Sequence, residues 1–367
     1  MNCDKIYDKK NFDYIHFRVD NGFLYISVIK EEGMENIVYT GKCKLINDGN
    51  ENKVFILKFT AVKEIVRLIK GKLFTFIEIM DIDDDTKFGL NVDNGVKFRF
   101  GDHEIISYTF DKDFLFMNDE EERSSIEVDY GLLVKSMKVW TNLYKRKKND
   151  LEDYKYFYIE VKGGKIRYTA TNGKKLLITE AGNTEALDAV IAISYDMIKQ
   201  LSKLKEGDKE VKLVFTFGYL SIQGKNFELR IKNNGRTIYN YKVLFDGLEE
   251  NGKMTINSET FRGIINTLKM IDLENYKEDK LHLEVKDKKL ISTLRITEGE
   301  RYDDEGEYIM QGEFDGSIEF WCMMDMMESI CNTFKEEEFK VITYTVNWML
   351  LKTKDNINVL IAGCCHD

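Results

Sequence analysis

The segment YIEVKGGKIRYTA, at Tyr158–Ala170, alternates apolar and polar residues on both sides of a Gly-Gly turn. This pattern predicts a β-hairpin. Two further segments read in the same way: HFRVDNGFLYISV at His16–Val28 and HLEVKDKKLISTL at His282–Leu294. The starts of the three segments are 142 and 124 residues apart, which matches one small domain and far exceeds the ~20–50 residues of a solenoid repeat. The chain is therefore predicted to contain three related domains.

Strand–helix pairs recur around these hairpins. Ile126–Val128 precedes apolar residues at helical spacing in Tyr130–Leu143, and Met254–Ile256 precedes the same pattern in Ser258–Ile271. A second set of pairs is Phe55–Leu57 with Ala61–Lys70, Val190–Ile193 with Tyr195–Leu204, and Ile318–Phe320 with Met323–Phe334. Each copy closes with paired strands, at Lys87–Tyr108, Val211–Lys232 and Lys340–Ala362. This order predicts an α+β protein with antiparallel sheets.

Two acidic, turn-rich joints divide the chain, at Asn118–Ser125 and Gly247–Gly252. We therefore expect domains over residues 1–120, 121–250 and 251–367. The first copy has only Met1–Ile15 before its hairpin, and these residues show no amphipathic stripe. The first helix of that copy is predicted to be missing.

The composition limits the classes of function. The 367 residues carry 54 basic and 64 acidic side chains, for a formal net charge of −10, so nucleic acid would be contacted only through a local basic surface. With 43% hydrophobic residues, the chain can bury a core, which excludes a disordered protein. Met1–Phe12 lacks the apolar run of a signal peptide, and the six cysteines form no CxxC pair. We expect a cytoplasmic protein with no membrane partner.

Signatures of common enzymes are missing from the sequence. It contains no GxGxxG, GxxxxGK(S/T), HExxH or GxSxG, and its four histidines are scattered. The acidic segment Glu298–Glu307 lacks EF-hand spacing. The Cys364–Asp367 terminus supplies neither four fixed zinc ligands nor a positioned base for a nucleophile. We therefore expect no catalytic activity, no metal site and no cofactor.

Over nearly its full length the chain resembles the bacterial DNA polymerase sliding clamp, the β subunit of the replicative polymerase, and four segments, in the same order, carry the most specific matches. They are IRYTATNGKKLL at Ile166–Leu177, YNYKVL at Tyr239–Leu244, the strand and helix of Met254–Leu268, and the terminal strand Ile357–Ala362. The chain would be a divergent member with a shortened first domain. The resemblance implies three similar clamp domains per chain, with helices lining a ring and antiparallel sheets outside.

In such a clamp, two protomers close into a homodimeric ring around double-stranded DNA. The ring must slide, so its inner helices would offer cations to phosphates without reading bases. Helix Met323–Phe334 departs from this pattern because it has no basic residue. The DNA-binding residues that the resemblance implies are Lys63, Arg67, Lys135, Lys138, Arg146, Lys147, Lys148, Lys199 and Lys203.

The resemblance also implies a cleft that receives short peptides from the DNA polymerase, the clamp loader and repair proteins. Its residues would be Tyr154, Thr171, Gly173, Lys174, Lys175, Leu176, Phe245, Val359 and Ile361. The dimer interface would include Ile106, Tyr108, Ile271 and Leu273. The terminus Ala362–Asp367 (AGCCHD) differs from the family's apolar-basic tail, so a different peptide motif is plausible.

We therefore expect a processivity factor that encircles duplex DNA in replication and tethers a polymerase to it. Two alternatives stay open at this point. One is a clamp-derived scaffold that binds partner proteins without encircling DNA. The other is a nuclease or hydrolase built on duplicated α+β domains, with carboxylates that hold a metal.

Overall fold

A computed structural model describes most of the chain. The described residues are 14–20, 22–32, 35–44, 53–69, 76–81, 94–100, 103–108, 121–144, 156–202, 209–233, 235–238, 240–270, 280–286, 289–298, 301–311, 315–316, 318–335 and 338–364. Their contacts divide the chain into two compact units. Unit 1 comprises Met1–Val128 with Lys203–Asn234, and unit 2 comprises Asp129–Ser202 with Gly235–Asp367.

Unit 1 is built on an eight-stranded sheet in the order β4-β1-β2-β3-β15-β14-β13-β8. These strands are β1 Tyr14–Asp20, β2 Phe23–Glu32, β3 Glu35–Lys44, β4 Lys53–Lys58, β8 Ser124–Asp129, β13 Glu210–Phe215, β14 Tyr219–Gln223 and β15 Phe227–Lys232. A three-stranded sheet contains β5 Phe76–Asp81, β6 Asn94–Phe100 and β7 His103–Tyr108, and helix α1 is Phe59–Ile69. Antiparallel pairing of β3 with β15 joins strands that are far apart in the sequence.

Unit 2 contains a nine-stranded sheet in the order β12-β9-β10-β11-β24-β23-β22-β16-β20. Its strands are β9 Tyr156–Lys162, β10 Lys165–Thr171, β11 Lys175–Asn183, β12 Ala189–Ser194, β16 Glu250–Asn257, β20 Asp315–Gly316, β22 Glu338–Tyr344, β23 Trp348–Lys352 and β24 Ile357–Ala362. A four-stranded sheet in the order β19-β18-β17-β21 contains β17 Lys280–Lys286, β18 Lys289–Glu298, β19 Arg301–Gln311 and β21 Glu319–Met323.

The helices of unit 2 follow its strands closely. They are α2 Tyr130–Leu143, α3 Tyr195–Leu201, α4 Ser258–Lys269 and α5 Met324–Thr333, and a 3-10 helix covers Tyr241–Leu244. Helix α2 packs against α3 and α5, and α4 packs against α5. None of the helices in the described part of the chain combines the length and apolar character that a membrane span requires.

The repeated pattern of the sequence is confirmed at the level of elements. The three predicted hairpins are β1–β2, β9–β10 and β17–β18. Largely antiparallel sheets with few helices confirm the predicted α+β class. Helix α4 ends at Lys269, two residues before the predicted end. Residues 1–13, where the first helix of copy one is predicted to be missing, lie outside the described residues.

Equivalent caps begin the first helices of the second and third copies. Asp129 Oδ1 accepts a hydrogen bond from the Leu132 amide at 2.8 Å, and Asn257 Oδ1 accepts one from the Thr260 amide at 2.7 Å. These side chains satisfy amides that the helix itself leaves unpaired. The predicted apolar stripes are buried, with Leu133, Met137 and Trp140 in α2 and Phe261, Ile265 and Leu268 in α4.

The end of the described chain is held by Asn347, in the turn between β22 and β23. The Asn347 side chain accepts a hydrogen bond from the Trp321 amide at 3.0 Å and donates to the Cys364 carbonyl at 2.6 Å. Gly363 passes between these groups. A Cβ on Gly363 would lie 2.2 Å from Asn347 Nδ2 and 2.5 Å from the Trp321 carbonyl oxygen. Only glycine therefore allows the terminal segment this close to β21.

Gly363→Ala is expected to lower the free energy of unfolding by about 1–3 kcal/mol, because the added methyl forces these groups apart. Gly263→Ala is the matched control. Gly263 lies inside α4 with nothing within 4 Å of the added Cβ, so alanine should raise stability by about 0.5–1 kcal/mol. Urea unfolding of both variants checks the opposite signs. Equal changes in the free energy of unfolding would show that Gly363 is not tightly packed against Asn347 and Trp321.

Candidate functional site

Unit 2 contains a small open pocket lined by three separate segments. The β10–β11 turn supplies one wall, the 3-10 helix supplies Leu244, and the start of β23 supplies Trp348. The pocket encloses roughly 380 Å³, including its open mouth. The lining residues are Thr171, Gly173, Lys174, Lys175, Leu176, Leu244 and Trp348.

The turn wall is fixed by its own hydrogen bonds. Asn172 Oδ1 accepts from the amides of Lys174 and Lys175, at 3.1 and 2.8 Å. Thr171 Oγ1 donates to the Lys175 carbonyl at 3.0 Å and accepts from the Gly173 amide at 3.1 Å. Gly173 has a φ of 82°, a conformation that favours glycine. The wall is therefore preorganised, and a ligand would not have to order it.

Below the pocket, one row of apolar side chains crosses four strands. Leu176 pairs with Leu360, Leu360 with Leu350, and Leu350 with Ile342. These four residues form one buried cluster with Tyr241, and Leu244, Phe245 and Trp348 are among the partly buried residues that pack against it. Leu176 therefore belongs both to the pocket lining and to the buried row of the sheet.

The structure brings five of the predicted cleft residues together around this pocket: Thr171, Gly173, Lys174, Lys175 and Leu176. Phe245 packs on the cluster beside Leu244. Val359 and Ile361 are buried and do not line the pocket, because successive strand side chains point to opposite faces. Leu360, between them, is the β24 residue under the pocket. Tyr154 lies outside the described residues.

The two lysines of the turn have different roles. Lys175 is buried, and its Nζ donates to the Leu143 carbonyl at 3.1 Å. Leu143 is the last residue of α2, where a cation offsets the partial negative charge of the helix end. Lys174 is exposed. Of the two, only Lys174 offers its charge to a ligand at the pocket mouth.

A connector, residues 235–238 and 240–245, crosses the sheet and carries Leu244 to the pocket. On it, Tyr241 Oη donates to Glu160 Oε2 at 3.2 Å. Arg167 Nη1 lies 3.8 Å from the same carboxylate oxygen. Burial, followed by the charge of Glu160, raises the pKa of Tyr241 to about 12. The neutral hydroxyl thus bonds to a buried carboxylate, which fixes the connector at Tyr241.

The predicted DNA-binding cations occupy different environments. In unit 2, Lys138 and Lys199 are exposed, whereas Lys135 Nζ lies 2.6 Å from Asp355 Oδ2. In unit 1, Lys63 is exposed and Arg67 Nε lies 3.2 Å from Glu64 Oε2. Arg146, Lys147, Lys148 and Lys203 lie outside the described residues.

Two more basic residues on α4 are engaged with α5. Lys269 forms an ion pair with Glu328, and Arg262 donates to the Cys331 carbonyl at 3.2 Å. These contacts hold together two helices of unit 2. The Lys269 and Arg262 side chains are therefore already engaged within the protein.

The predicted interface residues are only partly described. Ile106 and Tyr108 belong to β7, which is an edge of the three-stranded sheet among the described strands. An edge strand offers unpaired backbone groups to a second chain. Ile271 and Leu273 lie outside the described residues.

Two cysteines and one histidine of the described chain are buried in their neutral forms. Burial raises the pKa of the Cys331 thiol to about 12 and that of Cys322 well above its usual value, so neither is a thiolate nucleophile at neutral pH. Burial, with the nearby charge of Arg18, lowers the pKa of His16 to about 4. Within the described ranges, no group of three His, Cys, Asp or Glu side chains is placed to hold a metal.

Comparisons with known proteins find no matching family model and no matching curated sequence. Solved structures do match over almost the whole chain. The DNA polymerase III β subunit of Pseudomonas aeruginosa is 14% identical, with a TM-score of 0.70 over 96% of this chain and 93% of that one. That of Thermotoga maritima is 13% identical, with a TM-score of 0.69 over 99% and 95%. The Helicobacter pylori β clamp bound to a DNA ligase peptide is 12% identical, with a TM-score of 0.69 over 98% and 94%.

The chain has the sliding-clamp fold. The likeness extends over at least 96% of the chain in each of these structures, so the fold accounts for nearly the whole chain. The identities of 12–14% confirm the expected divergence.

Three residues under or around the pocket were missed by the sequence prediction: Leu244, Trp348 and Leu360. Leu244 is the last residue of the YNYKVL segment, which carries part of the resemblance. That segment could therefore have pointed to Leu244. Strand alternation on β24 could have selected Leu360 over its neighbours. Trp348 becomes visible only in the fold, because its contribution depends on β23 lying beside β24.

Tyr241→Phe is expected to lower the free energy of unfolding by about 2 kcal/mol, because it removes a hydrogen bond to a buried charge. It should also speed amide exchange in the 3-10 helix. Tyr168→Phe is the control, since among the described residues the Tyr168 hydroxyl is buried without a hydrogen-bond partner. Removing that hydroxyl should be neutral or stabilising. Equal losses in the two variants would contradict the anchoring of the connector by Tyr241.

Proposed function

We propose that this protein is a non-catalytic sliding clamp of the cytoplasm, which encircles duplex DNA as a homodimer and tethers a DNA polymerase and other replication proteins to it. The observation that carries the proposal is a preorganised pocket on a continuous sheet, within a chain that has the clamp fold over nearly its whole length. A topological tether needs a binding pocket and a closed ring, and it needs no reaction centre.

The pocket supports binding of an extended peptide. Its floor and part of its wall are apolar, through Leu176, Leu244 and Trp348, and Lys174 is exposed at its edge. A groove of this composition suits a peptide with apolar anchors and one acidic residue. One of the similar structures is a clamp bound to a DNA ligase peptide, and we extend that kind of partner to this chain.

Contact with duplex DNA would rest on few, weak charge interactions. Lys138 and Lys199 are exposed on two helices that pack together, and we propose that Arg146, Lys147, Lys148 and Lys203 add to the same set of phosphate contacts. Exposed cations attract phosphates without sequence preference and exchange readily with salt. Such contacts allow sliding, since none of them fixes a register on the DNA.

Ring closure would join two copies through Ile106 and Tyr108 of one protomer and Ile271 and Leu273 of the other. The first domain is expected to lack one helix, and a typical specific interface buries only ~1,600 Å². We therefore infer a dimer that opens more readily than one with complete domains.

A second function is favoured by the compensated cations. Lys135, Arg262 and Lys269 all bond to groups of unit 2 itself. A scaffold that binds partner proteins through the pocket without encircling DNA would need no free cations on these helices.

Leu244→Asp is expected to weaken peptide binding at least tenfold, because it places a charge in the apolar wall. The probes are peptides selected by display on the wild-type protein, and fluorescence anisotropy measures their affinity. Val243→Asp is the matched control, since Val243 is 51% exposed beside Leu244 and does not line the pocket. Unchanged affinity in Leu244→Asp, or an equal loss in both variants, would place the peptide site elsewhere.

Replacing both Lys138 and Lys199 by Ala should lower the salt slope of duplex binding by about two, since each phosphate contact contributes ~0.9. Lys135→Ala should change the slope much less, because Asp355 already neutralises that cation. Asp355→Asn releases Lys135 and should raise the slope by up to about one. Anisotropy of a labelled duplex over a salt series measures all three. An unchanged slope in the double variant would favour the scaffold.

A further inference from the structure

The eight-stranded sheet of unit 1 carries aligned cations and aromatic rings on one face. Arg18 on β1 pairs with Tyr25 on β2, which pairs with Lys42 on β3. In the neighbouring row, Phe23 pairs with Lys44. Residues two apart on a strand share a face, so the five side chains form one surface, the cation–aromatic face.

The contacts on this face are between cations and ring faces. The Arg18 guanidinium lies 4.7 Å from the centre of the Tyr25 ring, and Lys42 Nζ lies 4.0 Å from the centre of Phe23. The two rings are 6.4 Å apart. A cation can stand over a ring only where the flat side of the ring is accessible. The flat sides of Phe23 and Tyr25 therefore carry the cations, and both rings are partly exposed.

The described part of the chain supplies no carboxylate partner for the cations of this face. Among the described residues, no ion pair to a carboxylate joins Arg18, Lys42 or Lys44, and Arg18 and Lys44 are exposed. The whole chain carries a net charge of −10, so this cluster is a local exception. Neighbouring cations repel one another, and a bound polyanion would relieve that repulsion.

We propose that the cation–aromatic face of unit 1 binds single-stranded nucleic acid. Bases would stack on Phe23 and Tyr25, and phosphates would contact Arg18, Lys42 and Lys44. Single-strand binding surfaces combine these two features, a positive track and aromatic platforms. The long side chains of Arg18 and Lys42 can leave the rings and take phosphates as bases arrive. This site uses none of the residues proposed to contact duplex DNA, and it extends the proposed function.

The rings favour a nucleic acid over an acidic protein segment. An acidic peptide would engage the three cations but would gain little from two flat aromatic faces. Every base has a π-face, so stacking contributes without sequence preference. The role of the rings therefore separates the two partners experimentally.

The test uses the full chain and a fluorescein-labelled 20-residue oligothymidine, which forms no duplex. Anisotropy gives its affinity over a salt series for three proteins. The charge variant replaces Arg18, Lys42 and Lys44 by Gln, and its salt slope should fall by about two, at ~0.7 per single-strand contact. The stacking variant replaces Phe23 and Tyr25 by Leu. Its affinity for the oligonucleotide should fall at least about tenfold, and its salt slope should be unchanged.

The control variant replaces Lys340 and Lys352 by Gln. These exposed lysines face each other across β22 and β23 in unit 2, and binding should be unchanged. Wild-type protein that fails to bind the oligonucleotide at low salt, or variants that bind it equally well, would overturn the proposal. The proposal would also be overturned if an oligoglutamate bound as tightly as the oligonucleotide and its affinity were the same for the wild type and the stacking variant. If either test variant fails to fold, the other still decides, because charge and stacking are removed separately.

Discussion

The pairing of β11 with β24 is the interaction on which unit 2 depends. It joins Lys175–Thr179 to Ile357–Ile361, segments that are distant in the chain and costly in entropy to bring together. The gain comes from the row of Leu176, Leu360, Leu350 and Ile342, all buried, with about 1.5–3 kcal/mol for each side chain removed from water. Leu176, in the same row, also lines the pocket. Stability and the candidate site therefore meet at this residue.

The pocket wall depends on a second, polar constraint. The connector is anchored at Tyr241, whose hydroxyl bonds to buried Glu160. Arg167 compensates that carboxylate from the neighbouring strand. A buried charge with both a cation and a hydroxyl partner is costly to disturb. This network therefore keeps Leu244 at the pocket edge.

The repeated strands and helices could be predicted because the spacing of apolar residues within each segment indicates its secondary structure. Alternation in Tyr158–Ala170 and the apolar stripe of Leu133, Met137 and Trp140 needed no tertiary information. The pocket could be predicted only in part. The turn Thr171–Leu176 has a distinctive sequence, but Leu360 and Trp348 are placed by strand register, and the predicted residues Val359 and Ile361 are buried away from the pocket lining. Charge compensation is also invisible in sequence, since Lys135 and Asp355 are 220 residues apart.

Retention on circular DNA tests the central claim, a ring closed around the duplex, most directly. The protein is mixed with a nicked circular plasmid, and the complex is separated from free protein by gel filtration in salt high enough to screen phosphate contacts. The account predicts that protein stays with the circle and is released when one restriction cut makes it linear. Equal loss from circular and linear DNA at the same salt would contradict encirclement and leave a protein that contacts DNA only from outside.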